Sequence, residues 1–193
     1  MTLPDQLSLL MEPLAALQRL LDRFHQQGVI MGGIASALLG KPRFTVDLDA
    51  MFLASNKDIP GILKFAEVEG IAPRLENAEE FARKNRVLLL RHSASGVDID
   101  ISLGVLPFEE EVVERSKVYQ VGRLHIRLPA PEDLIILKVV AHRPKDLFDI
   151  QAIAESNPNL DLEHIERWVK DFASVLEMPE LWEEIKQIIT SAN

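Results

Sequence analysis

Two segments of the chain alternate aspartate with apolar residues: Val46-Asp47-Leu48-Asp49-Ala50 and Val97-Asp98-Ile99-Asp100-Ile101. A period of two marks a strand with one buried face, and it projects both aspartates of a segment from the opposite face. Two carboxylates held that close repel each other, and a divalent cation is the simplest partner that stabilises them together. Ahead of the first segment, the apolar run Gly28-Val29-Ile30-Met31 leads into Gly32-Gly33-Ile34-Ala35-Ser36, a glycine pair between a strand and a helix. At such a junction, backbone N–H groups and the positive helix end can hold phosphate oxygens, and the missing side chains permit close approach. No Gly-Lys-Ser/Thr follows, so this is not a Walker loop. Together the features point to metal-assisted chemistry on a phosphate compound.

The rest of the chain reads as a mixed α/β core followed by a helical tail. Helical spacing of Leu10, Leu14, Leu17, Leu21 and Phe24 predicts a helix over 7–27, with Gly28 as its stop. A short buried strand (29–31), a helix (33–40), a strand (46–53) and a helix (60–69) follow. A further helix (77–84) precedes two strands, 86–92 and 97–103, joined by the turn-like Ser93-Ala94-Ser95-Gly96 as a hairpin. A helix over 107–115 and two short strands, 117–121 and 124–128, complete the core. Pro129-Ala130-Pro131 cannot continue a strand interior. It sets the expected boundary between a core of residues 1–128 and a helical region of residues 129–193 packed on it, with helices over 131–142, 145–155, 162–172 and 179–189.

Composition narrows the classes. The chain has 193 residues, 47% hydrophobic and 26% charged, as globular domains have. It contains no cysteine, which excludes disulfides, thiolate zinc sites and cysteine nucleophiles. No segment reads as a leader or a membrane span, and a soluble cytoplasmic protein is expected. The formal net charge of −9 argues against broad nucleic-acid binding, although basic residues gather between Arg74 and Arg127.

Other residues carry weaker signals. If the two aspartate strands are neighbours, a third carboxylate completes a set of oxygen ligands suited to magnesium; Asp100 is favoured, with Asp98 as the alternate. Ser36 could add a hydroxyl to the glycine turn or bond its own backbone. Arg43 could reach a phosphate or pair with an aspartate. Lys138, inside Leu134-Ile135-Ile136-Leu137-Lys138-Val139-Val140, must find water, a carboxylate or a phosphate. Asp146 and Asp149 share a helix face and could pair with Lys138, Arg143 or Lys145. The histidines show no metal-ligand spacing, and Trp168 and Trp182 are expected in the core.

Met31-Gly32-Gly33, Asp47-Leu48-Asp49 and the later Asp98/Asp100 together resemble the nucleotidyltransferase superfamily that includes DNA polymerase β. Arg43-x-Thr45-x-Asp47, Pro131-Glu132-Asp133-Leu134-Ile135-Ile136-Leu137-Lys138 and Arg143-Pro144-Lys145-Asp146-Leu147-Phe148-Asp149-Ile150 extend the resemblance toward AbiEii-type toxins of type IV toxin–antitoxin systems. The resemblance implies an α+β nucleotidyltransferase fold, a mixed sheet flanked by helices. It implies magnesium-dependent transfer of an NMP from an NTP to an acceptor hydroxyl through a two-metal site on Asp47, Asp49 and Asp100. Gly32, Gly33, Ser36, Arg43 and Asp146 would bind the nucleotide, and Lys138 would neutralise phosphate charge. The implied acceptors are a tRNA end, a hydroxyl on a partner protein or a small molecule, and a cognate toxin or antitoxin is an implied partner. The alternatives are a non-catalytic nucleotide-binding or toxin–antitoxin interaction module of the same fold and, on weaker grounds, a metal-dependent phosphohydrolase.

Overall fold

The structure is a computed structural model and describes residues 9–192. Its elements run α1 (Met11–Arg23), β1 (Gly28–Met31), α2 (Gly32–Leu39), β2 (Asp47–Leu53), α3 (Ile59–Val68), β3 (Ile71–Pro73), α4 (Ala78–Asn85), β4 (Val87–His92) and β5 (Asp98–Gly104). They continue with α5 (Pro107–Arg115), β6 (Lys117–Val121), β7 (Leu124–Leu128), α6 (Pro131–Ala141), α7 (Pro144–Ser156), α8 (Leu162–Leu176) and α9 (Leu181–Ser191). The chain divides into two compact units, residues 1–34 with 44–128, and residues 35–43 with 129–193. No helix among the described residues is long and apolar enough to cross a membrane.

The first unit is built on a mixed sheet ordered β1-β2-β5-β4-β3. β2 and β5 are parallel, and the other neighbouring pairs are antiparallel. Alternation sorts the faces: Leu48, Ala50, Phe52, Leu88, Leu90, Ile99 and Ile101 are fully buried. Asp47, Asp49, Asp98, Asp100, Leu89 and Arg91 stand on the other, more exposed face. Slipping β2 or β5 by one residue would bury carboxylates and expose the aliphatic row, so the pattern fixes their register. β6 and β7 form a separate antiparallel hairpin.

The second unit is helical. α6 is apolar through Leu134, Ile135, Ile136 and Val139, which are buried, as are Ile150, Ile153 and Ala154 of α7 and Ile165 and Val169 of α8. Asp133 of α6 and His164 of α8 are both buried and joined by a 2.6 Å hydrogen bond.

Several expected elements differ from those observed. The start of the first helix at residue 7 lies outside the described residues. At its other end, α1 stops at Arg23 and not at Gly28, because His25 and Gln26 both take left-handed φ values of 56° and 58°. Gly28 instead opens β1, where a Cβ would meet the Phe52 Cα at 3.0 Å. β3 was not expected: three residues ending in proline carry no periodicity, and the strand is recognised only through its pairing with β4. α8 runs beyond residue 172 to Leu176 and ends at Glu177 in a left-handed cap. Trp182 is buried, whereas Trp168 is half-buried, stacked on Phe172 with ring centroids 5.9 Å apart and covered by the Arg167 guanidinium.

Candidate active site

The register of the central parallel pair aligns the aspartates. Asp47 lies opposite Asp98, and Asp49 lies opposite Asp100. Neighbouring strands run about 4.8 Å apart, so the four carboxylates form a compact patch on the exposed face. The row through Asp49 and Asp100 continues on one side to Met31 of β1 and on the other to Leu89 of β4. The row through Asp47 and Asp98 continues to Arg91 and Ala72.

Gly32 follows directly from Met31 and takes a φ of +64°. A Cβ there would stand 2.6 Å from Asp49 Cγ and 2.7 Å from its Cβ. Glycine is therefore required twice, by its backbone conformation and by the Asp49 side chain lying against it. Gly33 is buried in the first turn of α2. Thr45 Oγ1 donates to Asp47 Oδ1 at 2.9 Å and so orients the first carboxylate.

Arginines manage the charge of the β5 pair. Arg91 Nε donates to Asp98 Oδ1 at 2.7 Å, and Arg74 Nη1 donates to Asp98 Oδ2 at 2.9 Å. The other Arg74 terminal nitrogen donates to Asp100 Oδ1. The bond from Arg91 holds the Asp98 carboxyl below the usual range, against a smaller opposing effect of burial. Asp100 moves the other way: burial raises it, the charges of Asp98 and Asp47 add to the rise, and Arg74 only partly offsets them. Two side chains of one strand thus differ in how well their charge is compensated.

The donor set on this face is entirely carboxylate oxygen, which suits a hard cation such as Mg2+. Among the described residues no three or more His, Asp or Glu side chains close on a single point. Asp98 and Asp100 are both engaged by Arg74. The present side-chain arrangement directs the β5 pair to arginine.

The second unit holds the other candidate residues. Lys138 is buried on α6, and its Nζ donates to Asp146 Oδ1 at 3.0 Å and Asp149 Oδ2 at 2.7 Å, both on α7. Arg143 Nε donates to Asp146 Oδ2 at 2.6 Å, and Arg43 Nη2 donates to Asp149 Oδ2 at 3.0 Å. Asp146 also accepts the Arg143 backbone N–H at 3.2 Å and so caps α7. Burial alone would raise the Asp146 carboxyl, but bonds from Arg143 and Lys138 outweigh it and hold the group below its ordinary value. Lys138 therefore neither snorkels nor stands alone; it belongs to a buried ion-pair network. Ser36 is also buried.

Sequence reasoning missed Arg74. It follows the three-residue β3, and its backbone N–H donates to Leu89 O at 2.9 Å, which places it in the row of Asp100 and Asp49. The one signal for it was indirect: four clustered carboxylates demand a counter-charge.

A mixed sheet that carries an Asp-x-Asp strand beside a glycine turn defines this as an α+β protein of the nucleotidyltransferase fold, and the protein is a transferase of that class. Over residues 5–189 the chain matches the family described as "Nucleotidyltransferase of unknown function (DUF6036)", and it belongs to that family. A crystal structure from H. pylori, described as a nucleotidyltransferase, is 18% identical with a TM-score of 0.54, covering 98% of this chain and 94% of that one. An antigenic nucleotidyltransferase-like protein from Paracoccidioides brasiliensis is 16% identical, TM-score 0.52, covering 91% of each chain. The antibiotic-resistance factor ANT(2'')-Ia, in its solution structure, is 17% identical, TM-score 0.57, covering 91% of this chain and 95% of that one. At these identities the likeness concerns the fold. No curated protein sequence matches the chain.

Proposed function

We propose that the protein transfers an NMP from an NTP to the hydroxyl of a macromolecular acceptor, an RNA end or a protein side chain, in a reaction that depends on magnesium. The observation that carries this reading is the register of β2 and β5, which sets Asp49 opposite Asp100 and Asp47 opposite Asp98 beside the Gly32 turn. Asp47, Asp49 and Asp100 would hold divalent cations, with Asp98 retained by Arg91 as a structural partner. A bound metal pair would supply charge stabilisation for the attacking and leaving oxygens.

The chain's own residues have distinct tasks. Gly32 and Gly33 stand at the start of α2, where backbone N–H groups favour anions such as the nucleotide's phosphate groups. Thr45 fixes the orientation of Asp47 through its 2.9 Å bond. Within the second unit Lys138 is engaged by Asp146 and Asp149, and Arg43 by Asp149. Preorganised carboxylates and donors of this kind lower a barrier by being in place before charge develops.

The toxin–antitoxin role rests on the sequence resemblance carried by Arg43-x-Thr45-x-Asp47 and by the segments around Lys138 and Asp149. Incubation of the protein with each α-labelled NTP and Mg2+, against total RNA and total protein separately, tests both the reaction and the acceptor. Label entering one pool, and absent with Asp49→Asn, supports transfer. A release of free nucleotide without any labelled acceptor would favour hydrolysis instead.

A further inference from the structure

The acid patch carries a feature that metal binding alone does not explain. Four carboxylates occupy adjacent positions of β2 and β5, and the β5 pair is bridged by one guanidinium. Arg74 reaches that pair from the far side of β4, and its backbone is fixed in the ladder by the 2.9 Å bond to Leu89 O. Its side chain is more enclosed than that of Arg91, with relative exposures of 23% and 54%. Its Nε is buried without a hydrogen-bond partner. A guanidinium whose terminal nitrogens serve two different aspartates while its Nε is left unmatched is tied to the acids more than to its surroundings.

The two aspartates are not held alike. Asp98 is gripped by Arg91 from directly across the β4–β5 pair, through Oδ1, whereas Arg74 holds its Oδ2. Asp100 is joined to Arg74 and sits in the same row as Asp49, the aspartate that lies against Gly32. A cation shared by Asp49 and Asp100 and the guanidinium of Arg74 would therefore draw on the same Asp100 carboxylate, whose Oδ1 Arg74 already holds. Both are positive, so their simultaneous approach to one carboxylate is also disfavoured by repulsion.

We propose that Arg74 is a positioning residue that competes with a divalent cation for Asp100, and so sets the cation affinity of the acid patch. The proposal rests on the metal-dependent reading above. Arg74 keeps the two β5 carboxylates compatible with one another, and it yields Asp100 when a stronger cation is bound between β2 and β5. Asp98 stays with Arg91 throughout and does not exchange.

The test is Mn2+ binding to the full chain, measured by calorimetry and by the loss of the free Mn2+ electron paramagnetic resonance signal, without nucleotide. Wild type is compared with Arg74→Met, Arg74→Lys and Arg91→Met. Removing the competitor in Arg74→Met should tighten Mn2+ about tenfold, equal to about 1.4 kcal/mol. Arg74→Lys should tighten it by a smaller factor, since one ammonium cannot hold both aspartates in the planar fork of arginine. This variant retains the positive charge, so it covers the case in which the methionine variant fails to fold. Arg91→Met should leave affinity within about twofold, because its partner is Asp98. Unchanged or weaker Mn2+ binding in both Arg74 variants would overturn the competition. If wild type and every variant bind no Mn2+, in the presence or absence of NTP, the metal-dependent reading falls and takes the proposal with it. Label transfer by wild type alongside unchanged affinities would sink the competition alone.

Discussion

Replacing Gly32 by alanine perturbs the candidate site at the closest approach in the structure. The backbone there has a φ of +64°, so alanine pays the left-handed penalty of about 1 kcal/mol. The new methyl would also stand 2.6 Å from Asp49 Cγ and 2.7 Å from Asp49 Cβ. Non-bonded carbons rest at about 3.5–4.0 Å, so Asp49 or the turn must give way by about 1 Å. Overpacking of this kind costs about 1–3 kcal/mol, which places the loss in unfolding free energy near about 2–4 kcal/mol, measurable by urea denaturation. A displacement of about 1 Å in a catalytic group lowers turnover by about 10²-fold. Label transfer from NTP, run on protein confirmed as folded, reads that loss. A Gly32→Ala protein with transfer within about threefold of wild type and unchanged stability would refute the proposed role of this contact.

The remaining expectations follow from other parts of the structure. Gly61, in α3 with nothing within 4 Å of its added Cβ, should accept alanine with a gain of about 0.5–1 kcal/mol in urea unfolding. Lys138→Met removes the ammonium shared by Asp146 and Asp149 and should lower stability by about 3 kcal/mol; an unchanged urea midpoint would contradict the buried network. Asp146, whose carboxyl is held low by Arg143 and Lys138 despite its burial, contributes stability in full above the ordinary aspartate range. That contribution fades as pH falls through the lowered value, so wild type should lose stability in acid more steeply than Asp146→Asn. Parallel acid profiles for the two proteins would count against it. Asp49→Asn should abolish transfer while leaving the circular dichroism spectrum intact, since the carboxylate is on the exposed face of β2.

The fold was legible where periodicity was strong. α5, β6 and β7 occur where spacing and turn residues place them, and the hairpin of β4 and β5 follows from two apolar runs joined by a Ser-Ala-Ser-Gly turn. The alternation of β2 and β5 gave their faces, but that the two strands are neighbours was only a condition in the sequence, and their parallel pairing is known from the sheet alone. β3 was illegible because it is short, ends in proline and exists through its partner. For the same reason Arg74 escaped notice: it reaches Asp98 and Asp100 across β4, and nothing near residue 74 in the sequence announces a neighbour two strands away. The environment of Lys138 was half legible. Its apolar surroundings demanded a partner, and the spacing of Asp146 and Asp149 offered one, yet burial of all three together is a tertiary result.

The most direct measurement is label transfer from each α-labelled NTP, with Mg2+, into total RNA and total protein, with the Asp47→Ala/Asp49→Ala double variant run beside wild type. Label should enter one acceptor pool with wild type and neither pool with the variant. Equal labelling by a folded double variant would contradict a reaction carried by the aspartates of β2, and an absence of label with every NTP in both pools would contradict a macromolecular acceptor.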